Sequence, residues 1–421
     1  MNNQFYKNNR TRFFDSIKEN SVTVLFSGTS IQKSADQDYP FSVNRNFYYL
    51  TGINQANVIL VLVKGINGNK EYLLIEENDE MMAKWVGMKL TKDEAKEISG
   101  IENILYLDSF ESLIFSLFNN SRKTYEELYY LYLDLERRND PDYFSKALTY
   151  SQVVKEKYPE VKIENAYSII VRLRMNKTEE ELEKIQESID VTKGALENVL
   201  KNIKPGLYEY QVETFYDSYI KFHGQKVTSF ETICATGKNA TILHYVNNNT
   251  MIQDNELVLF DLGCCTDYYI SDISRTYPAN GKFTERQKQI YEIVLNCNKK
   301  CIEFLKPGVS WDEYNNYANS LLIEGLKNIG LIKEDKELRK YYWHSIGHSI
   351  GLDTHDPSNR NVLFEEGMIM TVEPGLYLED EGIGIRIEDN VLITKDGCIN
   401  LSKDIIKEVN EIENFMKENN K

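Results

Sequence analysis

The chain has 421 residues, with 49 Lys and Arg against 65 Asp and Glu, and its net charge of −16 disfavours nucleic acid or an anionic membrane as the main partner. The opening run Met1-Asn-Asn-Gln-Phe-Tyr-Lys-Asn-Asn-Arg10 has no apolar signal core and no segment is long enough to span a bilayer, so a soluble, cytoplasmic protein is expected. The six cysteines, Cys234, Cys264, Cys265, Cys297, Cys301 and Cys398, form no Cys-x-x-Cys pair and no disulfide framework.

In chain order, Phe47-Tyr-Tyr-Leu50-Thr-Gly52, Val58-Ile-Leu-Val-Leu-Val63 and Tyr72-Leu-Leu-Ile75 read as successive strands, with Asn67-Gly-Asn-Lys70 as a hairpin signal. Helical segments surround them, so an α/β domain is expected over residues 1–168 and a second domain over 169–421. The boundary falls between Glu164 and Thr178, marked by a change of pattern rather than by a Pro/Gly/Ser-rich linker.

The second domain opens on a capping box, Thr178 to Glu181, followed by Leu182, Ile185, Ile189, Leu196, Val199 and Ile203 at helical spacing, and the helix stops at Lys204-Pro205-Gly206. A copy runs from Thr284-x-x-Gln287 through Ile290, Ile293, Val294, Cys297, Cys301 and Phe304 to Lys306-Pro307-Gly308. These stripes are core faces without chemistry of their own.

The duplication extends further. Gln253-Asp-Asn-Glu-Leu-Val-Leu-Phe-Asp261 lies over Glu365-Glu-Gly-Met-Ile-Met-Thr-Val-Glu373, each a polar turn, an apolar strand and a terminal acid. His244 precedes Asp261 by 17 residues and His355 precedes Glu373 by 18, and a second acid follows each, Asp272 after 11 and Glu388 after 15. A carboxylate at the end of a core strand is costly unless a metal, an arginine or backbone amides compensate it. Cys264 and Cys265, just past Asp261, read as small buried residues rather than ligands. Residues after Asp404 form a last charged, amphipathic helix.

Three of the five histidines, His344, His348 and His355, fall within twelve residues, and Glu373-Pro-Gly and Arg386-Ile-Glu388 follow them. His344 and His348 are four apart, yet Ser345 stands where a zincin helix needs glutamate, and Gly347 and Gly351 favour strand or loop. Four acids and one imidazole suit a hard to borderline divalent ion and are too acidic for one structural zinc. Two ions about 3.5 to 4 Å apart balance the charge and generate a nucleophile at neutral pH, which makes metal-assisted hydrolysis the expected reaction class.

These motifs resemble the Xaa-Pro aminopeptidase (aminopeptidase P) family of pita-bread metallopeptidases, which also includes prolidase and methionine aminopeptidase, and the resemblance covers almost the whole chain. It implies an α/β (α+β) architecture: an N-terminal creatinase/prolidase-type domain, matched by Ser34-Ala-Asp-Gln-Asp-Tyr-Pro40, and a C-terminal pita-bread domain with an internal pseudo-two-fold repeat. It implies two divalent metal ions, Mn2+ foremost with Co2+ or Zn2+ as alternatives, held by Asp261, Asp272, His348, Glu373 and Glu388. By the same resemblance Glu373 takes a proton and returns it to the leaving amine, and His244 and His355 flank the metals, one steadying the carbonyl oxygen and the other the atoms around the scissile nitrogen. His344 lines a proline pocket, and Arg386 holds a bridging carboxylate by its guanidinium fork.

An Xaa-Pro bond is a tertiary amide without the hydrogen most peptidases grip, so a dedicated pocket is needed. Tyr377 and Tyr341-Tyr342-Trp343 are aromatic candidates for its wall, with core packing as the plainer role of the two tyrosines. The expected activity is removal of the N-terminal residue from peptides with proline in second position. The alternatives are a prolidase acting on Xaa-Pro dipeptides and a non-catalytic pita-bread binding protein, disfavoured because all five ligand positions are filled. A homodimer or homotetramer is expected from the N-terminal domain, with Trp85 either reaching a neighbouring subunit's active site or packed within its own.

Overall fold

Six strands of the first 174 residues make one mixed sheet in the order Asn103–Tyr106, Gly68–Ile75, Ile59–Gly65, Ser21–Phe26, Tyr130–Leu133, Lys162–Asn165. The computed structural model describes residues 1–119, 127–137 and 145–419, which divide into two units, Met1–Arg174 and Met175–Lys421. In the first unit the three middle strands pair antiparallel and the outer ones parallel. Val22, Val24, Val61, Leu74 and Leu131 of the sheet pack on Phe110, Ile114 and Leu117 of the helix Phe110–Phe118 and on Val154 of Lys146–Lys157. The hairpin between Ile59–Gly65 and Gly68–Ile75 turns at Ile66-Asn67, as its sequence signal predicts.

One expected strand is a helix instead. Phe47–Gly52 carries aromatics that favour strands, but Arg45–Thr51 is helical: the Asn44 side chain accepts from Phe47 N and Gly52 closes the far end at φ 70°. Tertiary contacts fix this choice, because Phe47, Tyr49 and Leu50 are fully buried and the enclosed Asn9 and Arg10 donate to the carbonyls of Tyr49 and Leu50 at 3.0 and 2.8 Å. Trp85 is not packed within its chain: it is 81 % exposed on the helix Glu80–Val86, which buries none of its residues.

The second unit repeats its helical frame and the turns that close it. Helices Glu179–Asn202 and Glu285–Phe304 begin with the capping boxes Thr178/Glu181 and Thr284/Gln287. Both stop at the predicted turns, where Gly206 and Gly308 take φ of +91° and +88°, a region open to glycine. Gly206 N donates to Ile252 O and Ile252 N to Leu207 O, at 2.9 and 2.8 Å. Gly308 N donates to Phe364 O and Phe364 N to Val309 O, again at 2.9 and 2.8 Å. A second helix follows each turn, Glu209–Phe222 and Trp311–Asn328.

The first apolar run is the central strand of its sheet, and the second is an edge strand beside the central Asp389–Ile393. Leu257–Leu262 lies between Ile273–Pro278 and Ile233–Thr236, and Ile369–Val372 pairs with Asp389–Ile393. In each half the first acid stands at the end of the apolar strand and the second immediately before the return strand: Asp261 with Asp272, Glu373 with Glu388. Pairing of the two strands therefore brings the two acids of a half together at one sheet end. The last helix runs from Val409 to Asn419.

Close approach at Gly263 holds the first of these ends shut. A Cβ there would lie 1.8 Å from the carbonyl oxygen of Ser271, the residue before Asp272. Gly263→Ala is therefore expected to cost about 1–3 kcal/mol in stability, measured by thermal or urea unfolding, and an unchanged midpoint would show that the strand ends are looser than this contact requires.

Candidate metal centre

Asp261, Asp272, His348, Glu373 and Glu388 line one cavity of about 580 Å³ in the second unit. Asp261 is the one side chain of Leu257–Leu262 that is not fully enclosed, at the mouth of an otherwise buried strand. Asp272, His348 and Glu388 each turn one ligand atom inward, and these three atoms lie within 4.8 Å of one another, a spacing suited to a shared cation.

His344–Gly351 forms no helix, as the glycines predict. It runs beside Ile369–Val372, with Thr371 N donating to His348 O and Glu373 N to Ile346 O, both at 2.8 Å. His348 Nδ1 sits 3.1 Å from Ser349 O, an acceptor only, so this nitrogen carries hydrogen and in the neutral ring Nε2 faces the acids with its lone pair. Nε2 lies 3.3 Å from Asp272 and 3.6 Å from Glu373.

The electrostatics of the cavity are those of crowded acids. Burial, then repulsion from Asp272, Glu373 and Asp261, raises Glu388 well above the carboxylate range. Burial and the neighbouring Asp272 lift Glu373 to about 7, against the pull of His348, and burial raises Asp272 as well. Burial alone would lower His348, but its bond to Asp272 and the charge of Glu373 outweigh this and raise it to about 9. Among the described residues Arg386 is the one guanidinium or ammonium in salt-bridge contact with any of the four acids.

Arg386 does not grip a carboxylate with both arms of its fork. Nη2 donates to Asp261 Oδ2 at 2.7 Å, Nε to Ser274 Oγ at 2.7 Å, and Nη1 to the Tyr377 hydroxyl at 3.0 Å. Ser274 in turn donates to Glu388 Oε2 at 2.8 Å, so one guanidinium orients an acid in each half. The other Asp261 oxygen, Oδ1, is buried with no hydrogen-bond partner among the described residues. That orphaned acceptor, the His348 Nε2 aimed at the acids and the mutual repulsion of the acids are what divalent cations would satisfy once His348 gives up its proton, so the donor set fits the expected ions.

The remaining predicted residues separate into wall and support. His244, His344 and His355 line the cavity, with His355 ring to ring against His348 at 4.1 Å. Burial and the positive His348 lower His355 to about 4, and burial with Arg386 lowers His344 to about 3, so both rings are neutral near pH 7. His344 Nδ1 meets Ser345 O at 2.8 Å and must donate, so Nε2 accepts from the Tyr377 hydroxyl at 2.9 Å. Tyr377 itself is fully buried and does not line the cavity: it stands behind the wall and joins His344 to Arg386. Tyr342 is buried with its ring edge-on to His344 at 4.5 Å, whereas Trp343 is 49 % exposed. Cys264 is buried and Cys265 half-buried, and neither lines the cavity.

Sequence reasoning did not single out Phe230, Leu243, Val246 and Arg360, which also line the wall. They carry no motif and come from loops whose convergence is tertiary. Ser274 and Arg275 also went unread, although they sit two and three residues after Asp272.

Residues 183–395 match the profile of Metallopeptidase family M24, and residues 6–125 that of the Aminopeptidase P, N-terminal domain. The chain is 31% identical to the Xaa-Pro aminopeptidase of Escherichia coli over 98% of its own length and 97% of the relative's. A solved structure of a candidate aminopeptidase P from Bacillus anthracis superposes with a TM-score of 0.97 at 50% identity, covering 100% of this chain and 99% of that one. The zinc-substituted Escherichia coli aminopeptidase P in complex with product gives a TM-score of 0.92 at 29% identity, with coverage of 100% and 99%. The chain belongs to metallopeptidase family M24, as an α+β protein that joins an aminopeptidase P N-terminal domain to a pita-bread domain.

Proposed function

We infer that this protein is a metal-dependent aminopeptidase that removes the N-terminal residue from peptides with proline in second position. The observation that carries the reading is the convergence of Asp261, Asp272, His348, Glu373 and Glu388 on one cavity, in a chain that belongs to family M24. These five residues would hold two divalent ions, with Mn2+ favoured by the oxygen-rich donor set and Co2+ or Zn2+ as alternatives. When bound, such ions supply Lewis-acid polarisation of the scissile carbonyl and a water activated at neutral pH.

The protein's own groups then act around that centre. Glu373, whose free carboxyl is already held near neutrality, accepts a proton and returns it to the leaving proline nitrogen. His355, neutral near pH 7, donates an N–H to the substrate as its carbonyl oxygen gains charge, and His244 faces the substrate from the same cavity. His344 is neutral and is tied down at both nitrogens, so it offers the proline ring a fixed, uncharged wall. Tyr377 and Arg386 position His344 and Asp261 from behind.

The proposal extends to self-association as a homodimer or homotetramer. Met81, Met82, Trp85 and Val86 are all more than half exposed on one short helix, an apolar surface that a second copy would cover, bringing Trp85 toward a neighbour's cavity. No helix among the described residues is long and apolar enough to cross a membrane, and a cytoplasmic location belongs to the same proposal.

Purified protein with added Mn2+ is expected to cleave Xaa-Pro-Xaa tripeptides and longer peptides and to lose this activity on chelation, whereas turnover confined to Xaa-Pro dipeptides would make it a prolidase. Asp272→Ala or Glu388→Ala should lower kcat/KM by more than about 100-fold, and near-normal turnover in either variant would remove that residue from the metal site. The pH dependence follows from Glu373, raised in the fold from 4.5 to about 7. Its protonated form stabilises the metal-free fold below about pH 4.5, and this contribution is lost as pH rises through 7. Metal-free Glu373→Gln should therefore lose on the order of 2 kcal/mol less stability than the parent between pH 5 and pH 8, read from unfolding at the two pH values. Identical losses would refute the raised carboxyl.

A further inference from the structure

Glu373 and Glu388 lie where a strand ladder opens. Ile369–Val372 and Asp389–Ile393 pair in register up to Val372 opposite Asp389. The chain then re-forms as the hairpin Gly375–Leu378 with Ile383–Arg386, so both glutamates stand in the gap between two ladders. The peptide planes that enter them expose the carbonyls of Val372 and Ile387.

Both carbonyls are met by one side chain. Asn298, completely buried on the helix Glu285–Phe304, donates from Nδ2 to Val372 O at 3.1 Å and to Ile387 O at 3.3 Å. Its Oδ1 accepts from Lys407 Nζ at 2.8 Å, which assigns the amide's orientation and leaves it no freedom to flip. Lys407 also pairs with buried Asp389, whose other oxygen takes Arg275 at 2.8 Å and Ser402 at 2.7 Å. Arg275 reaches on to Ser274 O at 3.0 Å and to Glu388 O. Asn298 thus bridges the segment of Glu373 and that of Glu388 from behind, in addition to the Ile387 N–H that donates to Pro374 O at 3.3 Å, and the ion pairs around it keep it there.

We propose that Asn298 is a positioning residue for the metal centre: its amide sets the separation of the two glutamates, and divalent-ion affinity depends on it beyond any effect on folding. This rests on the five-residue metal site proposed above. Partners of this kind govern how well a preformed site fits its ion, and their loss weakens binding by about 10- to 100-fold.

The test uses the full chain with Mn2+ as the probe, by titration calorimetry together with thermal unfolding of the metal-free protein. Asn298→Asp keeps the volume and the acceptor for Lys407 but removes both N–H donors, and Asn298→Leu removes the polar group. Asn198→Ala is the control, because Asn198 bonds a helix carbonyl, Phe215 O at 2.8 Å, in the same unit and away from the cavity. The expected result is Mn2+ affinity weakened by about 10-fold or more in both Asn298 variants, with kcat reduced more than KM at saturating Mn2+ and unfolding shifts no larger than the control's. Unchanged Mn2+ affinity in a folded Asn298→Asp would overturn the proposal. Failure of that variant to fold would assign Asn298 to stability instead and overturn it equally. A parent protein that binds no Mn2+ would overturn the metal-site reading itself, an outcome separable from the other two.

Discussion

Asp261, Asp272, Glu373 and Glu388 face one cavity whose wall also carries Glu231, and carboxylates crowded in this way call for positive charge. Burial and mutual repulsion drive Asp272, Glu373 and Glu388 upward in pKa, while the protein contributes His348 and a single arm of Arg386. Much of the second unit serves to hold these acids together against that repulsion. Each apolar strand ends at one acid, each return strand begins after another, and pairing of the two strands holds the acids of a half side by side. Behind the cavity, fully enclosed Arg275 and largely enclosed Lys407 share Asp389, leaving one net positive charge near the acidic face.

The duplicated architecture explains how such a site is built from plain parts. Each half supplies the same scaffold of capped helix, glycine turn, second helix and apolar strand, with matching bonds from Gly206 to Ile252 and from Gly308 to Phe364. The halves differ where the chemistry needs them to differ. In the first, Ile233–Thr236 is a regular strand and small Ala235 lies opposite Leu259. In the second, the corresponding segment is irregular, and His348 lies opposite Thr371 with its imidazole turned toward the acids. Glycines along these segments permit the close approach: a Cβ on Gly347 would lie 2.1 Å from Thr371 O.

The first unit shows where local preference yields. Phe47-Tyr48-Tyr49 carries the residues of a strand, and the hydrogen-bonding of Asn44, Asn9 and Arg10 makes it a buried helix. Trp85 makes the opposite point, since a large apolar residue on a helix with no buried face marks surface rather than core.

The duplicated frame, the capped helices and the acids at the strand ends are legible along the chain, because helical spacing, capping boxes and an apolar run stopped by a carboxylate are local signals with local physical causes. The five convergent residues were legible for the same reason: two copies of one pattern, read together, say which acids share a site. What stands behind that site became visible only in the folded chain. Tyr377 proved to be a support rather than a wall, Arg386 divided its fork among three partners, Arg275 met the carbonyl of Glu388, and Asn298, held by Lys407, met the carbonyls that precede Glu373 and Glu388, all across long stretches of chain. A buried hydrogen bond between distant segments leaves no periodicity in either, so only folding brings its two ends together.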